Sequence, residues 1–322
     1  MSSQTISYTR VLWLGWCVFL CLVTYRGRAQ TELLHELAIH SDNDAYLFIN
    51  QDQYYTNGIS FSYRWLVNKD RSATASKKRI WEVAAGHKLY NAYNGFSEIE
   101  LMDRPFTAYL YLQASHSWFY QNESQLRAGL VTGLYGKGAF GQQLQEGFHN
   151  LFGFYEISGW DYQLRGNFTV DLRADYNRLI LRSTSGKLDL QFNTKLSLGL
   201  NQSFVGAGPV LRLGKLNALY ESSYTGSRLY QSGNTVKKER YFYYRPMLFY
   251  RLYDASIQGG MLLDERGLVT FGIKPWMLSQ VVGFNYAHKR ITVDAHLQFN
   301  TKEVKSSATA HQFGSISLGY AF

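Results

Sequence analysis

Past its first thirty residues this chain alternates apolar and polar positions in runs of roughly ten residues. Ile59-Ser60-Phe61-Ser62-Tyr63-Arg64-Trp65 alternates without a break, and so does Ile291-Thr292-Val293-Asp294-Ala295-His296-Leu297-Gln298-Phe299. Tyr109-Leu110-Tyr111-Leu112-Gln113-Ala114 and Leu188-Asp189-Leu190-Gln191-Phe192 follow the same rule. Successive side chains of a strand point to opposite faces, so each run has one apolar and one polar side. No apolar stretch in this part reaches the ~20 residues a membrane helix needs. Strands of this kind satisfy their backbone groups in a bilayer only when the sheet closes on itself.

The runs read as strands at 33–43, 57–67, 79–90, 106–119, 124–135, 163–175, 187–199, 204–214, 239–251, 277–288, 290–303 and 312–322. The expected fold is all-β, a closed antiparallel transmembrane β-barrel of about twelve strands with both termini in the periplasm. Its last run ends on Phe322, which resembles the C-terminal assembly signal of outer-membrane barrels. In this topology the connections 44–56, 91–105 and 136–162 face outward and are neighbours around the rim. The connection 215–238 fits badly, being long where a short periplasmic turn is expected. It implies an extra hairpin or a different strand count.

Residues 1–29 read as a secretory signal, and 30–322 as a single barrel domain. Arg10 precedes the apolar run Val11 to Val23, and Thr24 to Ala29 ends in a small residue, the order of a cleaved leader. Both cysteines, Cys17 and Cys21, lie inside it, leaving no disulfide, thiolate metal site or cysteine nucleophile. Removing Arg10, Arg26 and Arg28 takes the formal charge from +9 to +6. On an exported chain that charge suits anionic lipid headgroups or plain solubility, and not nucleic acid. The 25 Tyr, 20 Phe and 7 Trp suit the aromatic girdles at the two membrane interfaces of a barrel.

Three clusters fall on the outer connections. Ser41-Asp42-Asn43-Asp44 caps the first strand and, alone, reads equally well as a turn. Asp52-Gln53-Tyr54-Tyr55-Thr56-Asn57-Gly58 opens the second strand with a turn dipeptide and tyrosines suited to a girdle. In 141–153, Leu144, Phe148, Leu151 and Phe152 recur at helical spacing, marking a short amphipathic helix with His149 on its polar flank. Such a histidine is either a surface residue or a base.

Taken together the clusters resemble the LpxR family of outer-membrane lipid A 3′-O-deacylases. The matching pieces include Asn43-Asp44, Asp52 with Tyr55 to Gly58, and Phe140-Gly141-Gln142 with Gln145 and His149. Further along come Gly159 to Leu164, Arg104 with Phe106 to Leu110, Thr301 to Glu303 and Phe313-Gly314-Ser315. The likeness runs from about Leu37 to Phe322. It implies a twelve-stranded barrel in the outer membrane of a Gram-negative bacterium, acting as a monomer on lipopolysaccharide, with a Ca²⁺-dependent site at the outer leaflet. It places Asn43, Asp44, Thr56 and His149 at the family's catalytic positions. The family's site can include a lysine near the second outer connection. Residues 91–105 hold none; Arg104 is the only cation there and Lys88 the nearest lysine. A glutamate after the histidine can also contribute, at a register shared here by Tyr155 and Glu156. Arg104, Lys88 and Glu156 are thus the implied substrate contacts.

The chain has no Gly-x-Ser-x-Gly elbow, so the expected chemistry is hydrolysis by water. His149 would be the general base. Asp44 would help hold Ca²⁺, a hard cation that prefers oxygen ligands, and the ion would polarise the scissile carbonyl. Asn43 and Thr56 would orient the ester or complete the ion's shell. Two other readings compete: an outer-membrane phospholipase using His116-Ser117, and a non-catalytic porin-like barrel with an open lumen.

Overall fold

The computed structural model describes residues 32–47, 53–67, 76–93, 98–152, 158–231 and 238–322. The leader expected at 1–29, Asp52 and Glu156 lie outside the described residues. Twelve antiparallel strands close into one barrel, each paired with its neighbours in sequence, and β1 (His35–Asn43) is paired with β12 (His311–Ala321). Between them run β2 (Tyr54–Leu66), β3 (Ser76–Asn91), β4 (Thr107–Tyr120), β5 (Ser124–Tyr135) and β6 (Asn167–Arg182). Then come β7 (Leu188–Gly199), β8 (Gln202–Lys215), β9 (Glu239–Asp254), β10 (Trp276–His288) and β11 (Ile291–Asn300). Every expected strand is present. The largest difference is at β6, which starts four residues later and runs on to Arg182; β2 and β3 each start three residues earlier.

The alternation in the sequence becomes the two faces of the wall. Ile39, Phe61, Leu112 and Leu172 are exposed on the outer, lipid-facing side. Glu36, Glu82, Asp189 and Arg212 are buried in the lumen. The aromatics divide three ways. Trp65 stacks on Trp81 at 6.3 Å, and His116 meets both Trp81 and Trp118 edge-on, a girdle on the outer wall near the periplasmic end. Tyr250 and Trp276 meet on the outer wall toward the other end, and Phe204 packs on Phe249 inside the lumen. Many tyrosines sit instead inside the barrel, where Tyr109 and Tyr135 stack at 4.4 Å and the Tyr135 hydroxyl donates to Asn201.

Among its described residues the long connection after β8 forms neither an extra hairpin nor an extra strand pair. Its described part, 216–231, folds into the periplasmic end of the lumen. Lys78 Nζ donates to the carbonyls of Tyr220 and Ser227, and Leu33 bridges Tyr230. Arg212 Nη1 donates to Ser222 Oγ at 2.7 Å, and Ser222 in turn to Glu239. The polar lumen supplies the hydrogen bonds that an inserted backbone requires, so the segment is a plug.

Candidate active site

The outer rim of β1 to β4 carries one continuous row of residues. Asn43 pairs with Asn57, Asn57 with Leu89, and Leu89 with Ala108. These positions share the parity of Ile39, Ile59, Phe61 and Leu110, which are exposed toward lipid, so the row lies on the outer face of the wall. Yet Leu89 is 6 % and Ala108 0 % exposed. The outer connections fold down over them.

Three devices hold that cover. The 3-10 turn Asp44–Leu47 directs Tyr46 onto Gly314 of β12, and the Tyr46 hydroxyl meets Ser41 Oγ at 2.9 Å. Phe106 at the end of the second connection packs edge-on against Trp160, 5.5 Å away, beside Leu89, Ala92 and Ala108. The third connection contributes helix α1 (Gly141–Phe152), whose first residue sits on Ala108 and Trp160. Trp160 Nε1 donates to Gln145 Oε1 at 2.9 Å.

The helix sits the opposite way round from a helix on a soluble core. Gly141, Gln145 and His149 share one face by their i, i+4 spacing, and Gln145 and His149 are buried at 5 % and 8 %. Leu144 and Leu151 are 53 % and 63 % exposed. At a membrane interface the apolar solvent lies outside, so the polar stripe turns toward the wall. His149 is therefore a buried residue, and its reading as a surface side chain is corrected.

The β1–β2 register ends on the pair Asn43–Asn57, which brings Asn43, Asp44 and Thr56 to the same end of the ladder. Asn43 Oδ1 accepts from the Ala45 amide at 2.7 Å, and Asp44 Oδ2 from the Gln53 amide at 3.1 Å. Asp44 is 3 % exposed. Thr56 sits at a bulge, skipped between the Tyr55–Tyr90 and Asn57–Leu89 pairs. It is 2 % exposed, and its hydroxyl has no hydrogen-bond partner among the described residues. Bulges often re-aim a side chain beside a functional site, and an orphaned buried hydroxyl is costly unless something binds it. A buried carboxylate and an unsatisfied hydroxyl at the same end of one ladder fit a hard cation, which takes carboxylate, hydroxyl, amide and carbonyl oxygens. No group of three or more His, Cys, Asp or Glu side chains suited to a metal occurs among the described residues, so backbone or water oxygens would supply the remaining ligands.

Lys88 and Arg104 lie on the other side of the wall. Lys88 pairs with Gly58 and Tyr109 on the lumen face, its ammonium 5.5 Å from the Tyr55 ring. Arg104 donates to Ser256 at 2.8 Å and lies 4.9 Å from the Tyr90 ring. Both line a lumen cavity of about 300 Å³; a headgroup held in the leaflet does not meet them. His87 was not anticipated. It sits one row below Leu89 on the outer face, 8 % exposed, and its Nε2 donates to the Ala139 carbonyl at 2.7 Å. The signal available was a histidine at an apolar parity position of β3.

His116 and Ser117 are adjacent in sequence on β4 and so point to opposite faces. His116 joins the outer girdle, whereas Ser117 Oγ accepts from Arg127 Nε at 3.1 Å in the lumen. They form no nucleophile–base pair. The plugged lumen equally disfavours the open porin.

The chain matches the family model described as Outer membrane protein LpxR over residues 14–322. Among solved structures it is similar to LpxR from Salmonella typhimurium, with 15 % identity, 89 % of this chain and 100 % of that chain covered, and a TM-score of 0.70. It is also similar to the beta domain of the Bordetella autotransporter Brka, with 10 % identity, 90 % and 100 % coverage, and a TM-score of 0.50. No curated protein matches the sequence.

Proposed function

This chain belongs to the LpxR family of outer membrane proteins, and from that membership we propose that it hydrolyses the ester holding the 3′-acyloxyacyl group of lipid A. The observation that carries the reading is a buried polar patch where a barrel wall is ordinarily apolar. Half-buried Asn43 and buried Asp44 and Thr56 stand at the top of the β1–β2 ladder, and the buried polar face of α1, whose first residue rests on Ala108 of β4, carries His149. A site there receives an acyl chain sideways from the leaflet. Lifting that chain into water instead costs ~0.8 kcal/mol per CH₂.

In this reading His149 takes the proton from a water molecule as it attacks the ester carbonyl, and then returns a proton to the departing sugar oxygen. The Asn43 side-chain amide and the Thr56 hydroxyl orient the carbonyl. Asp44, Thr56 and nearby backbone oxygens are the groups that would hold Ca²⁺. When bound, that ion supplies a positive charge for the oxygen that becomes anionic. The covering connections exclude bulk water, which strengthens each of these interactions.

The deciding experiment is mass spectrometry of lipid A from cells with and without the protein. A species lacking the 3′ acyloxyacyl group should appear only with the protein. It should fall by ~10²–10⁴-fold in rate for His149→Ala, the usual cost of losing a general base. Unchanged lipid A, or full activity in folded His149→Ala, would overturn the reading.

A further inference from the structure

We propose that the outer half of the lumen is a binding site for an anionic saccharide, on the opposite face of the wall from the deacylation site and independent of it. The cavity of about 300 Å³ lies between β2, β3, β7, β9 and the connection before β12. Its cations exceed its available carboxylates. Asp254 and Glu303 are both engaged by Arg251, at 2.5 and 3.3 Å. Arg104 Nη1 reaches Glu303 only at 4.0 Å. Lys88 and Lys195 line the same space, half-buried, and neither has a carboxylate within ion-pair distance among the described residues. Burying unpaired ammonium groups is costly unless an anion shares the space.

Two further atoms specify more than charge. Arg104 and His311 are each 3 % exposed, and Arg104 Nε and His311 Nδ1 have no hydrogen-bond partner among the described residues. Arg104 Nε is a donor only, and calls for an acceptor. His311 Nε2 lies 3.0 Å from the Tyr55 carbonyl and must donate to it, which leaves a lone pair on Nδ1. That lone pair calls for a donor such as a hydroxyl. Phe204 and Phe249, packed edge-on at 5.5 Å, give the cavity an aromatic wall. An anion, hydroxyl donors and an apolar C–H face in one small molecule describe a uronate or a sugar phosphate.

Isothermal titration calorimetry of the full-length mature protein in detergent micelles tests this, with heat-modifiable gel migration as the folding control. Galacturonate and glucose 6-phosphate should bind, and glucose at least tenfold more weakly. Lys88→Met and Lys195→Met should each weaken both anionic sugars at least tenfold. The two lysines stand on different strands, so one variant carries the test should the other fail to fold. His311→Phe should weaken the sugars and leave inorganic phosphate unchanged. Absence of binding, equal binding of glucose, inorganic phosphate binding as tightly as the sugars, or indifference to both lysine changes would each overturn the proposal.

Discussion

Gly314 of β12 lies directly beneath Tyr46: a β-carbon at position 314 would stand 2.6 Å from the Tyr46 Cβ. That atom is fixed to the backbone, so a side chain at 314 must push the whole Asp44–Leu47 turn off the wall. Overpacking of this kind costs about 1–3 kcal/mol. Because the turn begins at Asp44, the loss falls on the site and not on the barrel. Gly314→Ala should therefore fold normally and lose about tenfold or more in deacylation. Adding Tyr46→Gly, which removes the offending carbon, should recover part of it. Equal activity of Gly314→Ala and the parent would show that this turn does not set the site.

The seat of α1 rests on the bond from Trp160 Nε1 to Gln145 Oε1. Trp160→Phe keeps the ring contact with Phe106 but leaves the buried Gln145 oxygen unsatisfied. The expected cost is about 1–3 kcal/mol, confined to the third connection. Hydrogen exchange should quicken for the amides of 141–152, with strand amides unaffected and activity reduced. Unchanged exchange in the helix would mean that packing alone seats it.

A cation held by Asp44 and Thr56 stabilises the folded state by mass action, by about 2.7 kcal/mol at a hundredfold excess over Kd. Calcium should raise the denaturant midpoint of the purified protein, and a chelator should reverse the rise. Asp44→Asn should abolish the response, and Thr56→Val should weaken it. An identical calcium response in Asp44→Asn would place the ion elsewhere.

The strands were legible because lipid outside and polar lumen inside impose period two on nearly every segment. Parity gives the face of a rim residue; what the pattern could not convey was which outer-face residues the loops cover. Lys88 and Leu89 are neighbours in sequence, yet one lines the lumen cavity and the other lies under the outer cover. The Phe313-Gly314-Ser315 motif likewise serves both sides. Phe313 packs on Tyr55 and Ser315 bonds Asp42 in the lumen, and Gly314 makes room for Tyr46 outside. The helix spacing at 141–152 was plain, but spacing alone does not say which side meets the wall where lipid lies outside. The length of 215–238 set it apart as an extra hairpin or a miscounted strand, but the docking of 216–231 in the lumen was not legible, because its partners, Lys78, Arg212 and Glu239, are scattered through the chain.

The plug depends on Arg212, which is fully buried. Its guanidinium donates twice to Asp189, at 2.6 and 3.0 Å, and lies 3.4 Å from Glu239. Glu239 accepts in turn from the hydroxyls of Ser222 and Ser223, so this one cation joins the wall at β7, β8 and β9 to the inserted segment. Arg212→Met strands two carboxylates in the lumen, a loss of about 3–5 kcal/mol for a broken buried pair. Arg182, 3.0 Å from Asp189, offsets part of it there, but Glu239 has no such substitute among the described ion pairs. The plug should loosen before the barrel opens. Planar bilayers should stay silent with the parent protein and show intermittent conductance with Arg212→Met. Arg212→Met combined with Asp189→Leu and Glu239→Gln removes the stranded charges and should return toward silence. Steady conductance by the parent protein would show that 216–231 does not seal the lumen.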